Sequence, residues 1–309
     1  MFKYSLDNKR YHTLNYYLKN KYGKKTFKVS LNANFSCPNK VNGKGCIFCS
    51  RLGSGDFAGN KEKDLVTQFN EVKTIMEKKW PNSYYIGYFQ ANTNTFAPLN
   101  ILKEKYETIL NLPNVVGLNI ATRSDAITQE CYDYLEELSH KTDLIVELGL
   151  QSIHEKTLKF INRGHDLQNF ENAVKELQKR NINVVVHIIN GLPNESKEDM
   201  INTVKYLNKL NINGIKIHML HVIENTDLAD LYKETPFHIL TKEEYIDIVV
   251  SQLEYLNPNI VIHRITGDPK KEDLIEPTWL LKKFCVLNDI DKEMLKRNTY
   301  QGAKLKEQN

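Results

Sequence analysis

The chain has 309 residues, 41% of them hydrophobic and 26% charged, with 42 Lys and Arg against 38 Asp and Glu for a formal charge of +4. These fractions exclude a mostly disordered chain, a collagen-like chain and a coiled coil, and the length suits one large domain or two of ordinary size. The apolar runs are strand-length, against the roughly 20 residues that a membrane span needs, and no apolar signal core opens the chain, so a cytoplasmic protein with no membrane partner is expected.

Residues 1–28 hold eight cations and one anion, with Tyr4, Tyr11, Tyr16, Tyr17 and Tyr22 interleaved. Cations beside rings suit looped or single-stranded nucleic acid; a solvated helix whose tyrosines pack on the body gives the same pattern. Strand-like runs follow at 26–32, 84–89, 115–121, 144–150, 184–189, 214–220 and 260–265, with helix-like stretches of mixed charge at 61–79, 100–110, 128–138, 167–179, 196–210 and 241–256. Strands alternating with helices imply βαβ units and a parallel sheet. The runs read as nearly continuous apolar segments, as strands buried on both faces do. Six units fit before residue 232, too few for a closed eightfold barrel, so the α/β fold expected is an incomplete (βα)6 TIM-like barrel or an open sheet, with ligands at the carboxyl ends of the strands. The expected organisation is a basic segment over 1–25, the partial barrel over 26–235 and a C-terminal extension over 236–309 that adds a strand and helices and caps the barrel.

Directly after the first strand come Cys37, Cys46 and Cys49, spaced C-x8-C-x2-C, with Gly43 and Gly45 letting the loop curl back. Three thiolates can hold three irons of a [4Fe–4S] cluster and leave the fourth iron open. Zinc is the rival, with a distant His completing Cys3His; a coincidental cluster with no metal is the third reading. Five cysteines without a signal argue against a disulfide framework, and Cys131 and Cys285 read as packing residues in helices.

This loop, with Phe48 before its last cysteine, resembles the radical S-adenosylmethionine superfamily. The long first spacing departs from the commoner C-x3-C-x2-C and is similar to a bacterial family like the Elongator catalytic subunit. Further stretches carry the likeness: GYFQANTNT at 87–95, ATRSD at 121–125, ELGLQS at 147–152, NRGH at 162–165, HIINGLP at 187–193 and TGD at 266–268. It spans about 11–302.

The resemblance implies a barrel of the radical SAM type, one [4Fe–4S] cluster on Cys37, Cys46 and Cys49, and S-adenosylmethionine cleaved to a 5′-deoxyadenosyl radical. It implies Phe48 near the adenine and Asn92 and Thr93 near the methionine ammonium, which amide and hydroxyl oxygens can accept. Gln151 and Arg163 stand where a related branch holds the ribose and carboxylate, and an Arg fork suits a carboxylate. Glu147 is costly in an apolar strand unless paired; it either reaches a ribose hydroxyl or pairs with Arg123. His187 replaces an Asp of that branch. His218 and His221 are candidates for substrate contact or proton transfer, and the basic strand end at 263–268 for clamping a phosphate or capping the barrel. The resemblance implies tRNA wobble-uridine modification, of the type that trims carboxymethylaminomethyluridine to aminomethyluridine, with reduced flavodoxin or ferredoxin as electron donor. Two rivals remain: the same chemistry on a small porphyrin-like or amino-acid-like metabolite, and a zinc-stabilised RNA-binding adaptor.

Overall fold

The computed structural model describes residues 2–4, 8–50, 53 and 57–305. In chain order these form α1 (Leu14–Tyr22), β1 (Thr26–Leu31), α2 (Pro38–Val41), α3 (Leu65–Lys79), β2 (Tyr84–Phe89), α4 (Leu99–Leu110), β3 (Val115–Thr122), α5 (Gln129–Ser139), β4 (Asp143–Gln151), α6 (Glu155–Phe160), α7 (Leu167–Lys179), β5 (Asn183–Asn190), α8 (Lys197–Leu207), β6 (Gly214–Met219), β7 (Val222–Ile223), α9 (Asp227–Glu234), α10 (Lys242–Tyr255), β8 (Val261–Arg264), β9 (Leu274–Glu276) and α11 (Lys283–Lys296). β1 to β6 and then β8 form one sheet in sequence order, each pair parallel. The fold is an α/β half-barrel of the TIM type with seven strands. The segment read as lying after the barrel supplies the seventh strand: α10 crosses back and β8 pairs with β6. β7 and β9 make a small antiparallel pair apart from the sheet.

Polar side chains set the helix starts. Asp64, Thr128, Asp166, Ser196 and Thr241 each accept from a backbone N–H in the first turn of α3, α5, α7, α8 and α10. Such caps satisfy one of the N–H groups a helix start leaves open.

The strands differ from the sequence reading in one respect. They are apolar throughout on the helix side, whereas on the lumen side apolar residues such as Ile86, Ile145 and Val185 alternate with polar ones. Val29, Leu31, Phe89, Leu118, Ile120, Val146, Leu148, Val186 and Ile217 sit in the main core beneath the helices. The alternate positions of the same strands bring Lys28, Tyr88, Asn119, Glu147, His187 and Lys216 together inside the barrel. Period-2 alternation thus survives in a sheet covered on both faces, because the lumen holds a polar layer.

The N-terminal tyrosines pack on the body. Tyr4 and Tyr11 are buried; Tyr4 donates to the Pro258 carbonyl and stacks on His12. Ile262 N–H donates to the His12 carbonyl at 2.7 Å, and α1 packs on both β8 and β1, the edge strands, so it lies across the open seam of the half-barrel. Tyr22 bonds Asp143 and meets the ring of Tyr84, the first residues of β4 and β2. The basic segment therefore flanks the amino-terminal rim, opposite the cysteine loop.

Candidate active site at the carboxyl ends of the strands

The cysteine loop is built by its neighbours. Gly45 has φ +82° and donates to the Asn39 carbonyl. Asn162 donates to the Gly45 carbonyl at 2.6 Å, and Asn39 donates to the Asn162 carbonyl at 2.8 Å. Ile47 donates its N–H to the Ile161 carbonyl, and its own carbonyl accepts from Leu228 N–H. The stretch at 162–165 thereby ties the loop to the turn after α6. Gly164, with φ +81°, keeps that turn close: a Cβ there would lie 2.5 Å from Asn39 Oδ1.

Cys37, Cys46 and Cys49 line a common cavity of about 190 Å³, together with Arg123 and Arg163. Cys46 Sγ has Asn39 Nδ2 at 3.6 Å and Arg163 Nη1 at 3.9 Å. Arg163 is 4% exposed; its Nη2 donates to the Gly149 carbonyl at 2.6 Å, while its Nε is buried with no partner. Arg123 binds Asp125 bidentately and leaves Nη1 buried and unpartnered. Burial pushes the Cys49 thiol up, with Lys40 opposing.

Three thiols and two guanidiniums around one void are a donor set for a large anionic group. Unpaired buried N–H groups are costly unless such a group meets them. A [4Fe–4S] cluster with the carboxylate of S-adenosylmethionine fits this arrangement. A single zinc ion fits it less well, because a cation gives the two buried guanidiniums no partner.

The other expected residues fall around the same void. Asn92, at φ +57°, donates its N–H to Gly53, and a Cβ on Gly53 would sit 1.8 Å from Asn92 Oδ1. Thr93 is buried beside it, and both line the cavity. Gln151 also lines it, at a bulge in the β4–β5 register. Its φ of +76° is notable. The other eleven positive-φ residues among the described non-glycine residues are all Asn, the type that tolerates this region best. Such strain persists where the surroundings enforce it. Phe48 packs against the smaller apolar cluster that includes Leu192 and Leu220.

Glu147 does not pair with Arg123, which Asp125 occupies. Its carboxylate, 1% exposed, accepts from Lys28 at 2.9 Å and Asn119 at 2.7 Å on one oxygen, and from His187 at 2.8 Å and Lys216 on the other. Burial pushes this carboxyl up, but Lys216, Lys28 and His187 outweigh it and hold the group well below the usual range. Burial pulls Lys216 down to about 7 and His187 to about 4, so His187 is a neutral ring at neutral pH. Lys216 also donates to Tyr88 at 2.8 Å, and Lys28 meets His263 at 3.1 Å. With both carboxylate oxygens taken by four donors, Glu147 serves the wall of the cavity. Lys28, counted in the sequence among the N-terminal cations, joins Tyr88, Asn119 and Lys216 in this layer, and none of the four is marked as a site residue by its local sequence. One signal was available: Lys216 and Glu147 each stand mid-strand, where a lone charge would be costly.

A second cavity of about 630 Å³ opens outward and shares Phe48, Gln90, Gln151, His187, His218 and Arg264 with the first. His218 therefore sits at the junction, with its ring 5.3 Å from that of His187. His221 lines only the outer chamber.

Comparison with known proteins agrees with this architecture. Residues 36–207 match the model of the radical SAM superfamily and residues 212–296 that of the radical SAM C-terminal domain. Uncharacterized protein YtqA of Bacillus subtilis is 47% identical over 97% of this chain and 94% of its own. Elongator complex protein 3 of Saccharomyces cerevisiae is 28% identical over 51% of this chain and 28% of its own, and the tRNA uridine(34) acetyltransferase of Methanocaldococcus infernus 29% identical over 43% and 25%. The solved structure of archaeal Methanocaldococcus infernus Elp3 superposes with a TM-score of 0.69 at 18% identity, covering 90% of this chain and 64% of that one. The chain is a radical SAM enzyme and belongs to that superfamily.

Proposed function

We propose that this enzyme modifies tRNA at the wobble uridine, with the trimming of carboxymethylaminomethyluridine to aminomethyluridine as the reaction type. The observation that carries the reading is the pair of joined chambers: an inner one beside the cysteines and a wider outer one that meets it at His218. The outer volume lies within the range of small-ligand sites and suits a nucleotide turned out of a loop. Supporting it, relatives sharing about half of this chain or less include an Elongator protein and a tRNA uridine(34) acetyltransferase.

In this reading Cys37, Cys46 and Cys49 hold the cluster, Arg163 and Arg123 face the anionic end of S-adenosylmethionine, and Asn92 and Thr93 accept from its ammonium. Phe48 and Gln151 stand between the chambers. When bound, the cluster and S-adenosylmethionine supply hydrogen-atom abstraction, the hard chemistry that a cofactor carries. The lumen layer around Glu147 fixes the cavity floor, and burial, against the pull of Glu147, keeps His187 neutral.

The test starts with protein purified without oxygen. Iron and sulfide are measured, then 5′-deoxyadenosine after dithionite and S-adenosylmethionine. Bulk tRNA from cells lacking the gene is then treated and its nucleosides resolved by mass spectrometry. Conversion of a wobble-uridine nucleoside is expected. Formation of 5′-deoxyadenosine with every tRNA nucleoside unchanged would overturn the tRNA reading and turn the search to small metabolites.

A further inference from the structure

The outer chamber carries charge beyond the cysteine loop, from Arg264 at its junction with the inner one and from Lys283 and Asp268, which line the outer one alone. Arg264 ends β8 and Lys283 begins α11, and both reach Asp268. Lys283 Nζ lies 2.8 Å from Oδ1 and Arg264 Nη2 3.5 Å from Oδ2. Two cations thus share one carboxylate, and among the described residues lining this chamber Asp268 is the sole acid. The long contact leaves most of the Arg264 fork without a carboxylate partner.

His221 adds a second feature to the same wall. Its Nε2 is buried without a partner. Gly267 makes this seat possible, because a Cβ there would lie 2.1 Å from that nitrogen. Phe57, 56% exposed, lines the chamber as well. A ring to stack on, a guanidinium that Asp268 engages only at long range, an ammonium and an imidazole wall suit a flat molecule that bears an oxyanion.

We propose that Arg264 and Lys283 read an oxyanion of the substrate, with His221 completing the corner. The inference rests on the outer chamber being the substrate side. In a modified RNA the oxyanion has two sources: the phosphate next to the target base, or a carboxylate carried on that base.

The probes are uridine, uridine 5′-monophosphate and 5-carboxymethyluridine, titrated into the reconstituted protein by calorimetry at low salt. At least one charged probe is expected to bind about tenfold tighter than uridine, as one charge-assisted pair supplies. Preference for the monophosphate assigns the corner to the backbone, and preference for the carboxymethyl compound assigns it to the base. Arg264→Gln with Lys283→Gln is expected to erase the preference, and Arg264→Lys with Lys283→Arg to keep most of it, at matching melting temperatures. Equal binding of all three probes, binding of none, or a preference that outlives the double Gln variant overturns the reader. These outcomes are separate from the tRNA test: a reader without tRNA modification removes RNA as substrate, and modification without a reader removes the role of this corner.

Discussion

Glu147→Gln probes the charge balance of the lumen. The carboxylate meets two ammonium groups, Lys28 at 2.9 Å and Lys216, in a position without solvent. The amide keeps the shape, removes the counter-charge and aims an NH2 at donors. Removing one partner of a buried ion pair costs about 3–5 kcal/mol. At about 2–4 °C per kcal/mol for domains a little smaller than this one, melting falls by about 6–20 °C. The pH dependence has a definite sign. Burial already pulls Lys216 down to about 7 against the attraction of Glu147. Without that attraction it falls further, so the variant pays most where wild-type Lys216 is still charged. The deficit is therefore larger at about pH 6 than at about pH 9, where Lys216 is neutral in both folded proteins while unfolded lysine remains protonated in both. Urea unfolding of both proteins at the two pH values measures it. A variant within about 1 kcal/mol of wild type at pH 6, or a deficit that grows toward pH 9, refutes the reasoning. Adding Lys216→Met to the variant is expected to restore part of the loss, since an apolar side chain needs no counter-charge.

Further outcomes follow from single contacts. Cys46→Ala is expected to lose cluster iron and S-adenosylmethionine cleavage together, and unchanged iron would remove Cys46 from the ligand set. Gly53→Ala places a Cβ 1.8 Å from Asn92 Oδ1 at a backbone φ of +63°; iron is expected to stay while S-adenosylmethionine affinity falls, read by equilibrium dialysis. Asn94→Ala removes one amide that donates to the carbonyls of Phe89, Ala91 and Ala121, and is expected to cost about 2–3 kcal/mol in urea unfolding without altering iron content. Gln151→Gly relieves the backbone at φ +76° and is expected to stabilise the fold by about 1 kcal/mol while weakening S-adenosylmethionine binding.

Much of the barrel was legible because its outer face obeys simple rules. Runs such as VVVHII at 184–189 can only be buried strands, and helix starts such as Ser196 and Thr241 carry their capping partners three residues on. The seventh strand was seen as a segment but not as a member of the sheet. A run of four residues after a long helix says nothing by itself about which edge it joins; the β6 register decides that. The cysteine loop was legible as spacing. What spacing could not supply is the packing around Cys46. Asn39 lies seven residues from Cys46 and Arg163 more than a hundred.

The polar lumen was hidden for a different reason. On the strands it shows as a polar residue interrupting an apolar stretch: Lys28, Tyr88, Asn119, Glu147, His187 or Lys216. Taken singly, each is a blemish that a solvent-facing edge would explain equally well. Register turns them into a layer: Tyr88 lies opposite Asn119 and His187 opposite Lys216, while Lys28 and Glu147 meet across the barrel. The energetic logic then requires that they be read together. A buried Lys216 without Glu147, or Glu147 without its ammonium partners, would be strongly unfavourable. The seam supplies the last condition. A half-barrel leaves its first and last strands unpaired, and α1 with the His12–Ile262 bond lies across that opening beside Lys28 and His263. The tyrosine-rich N-terminus, whose composition suits either nucleic acid or packing on the body, packs in the fold on both edge strands of the sheet that carries the charged layer.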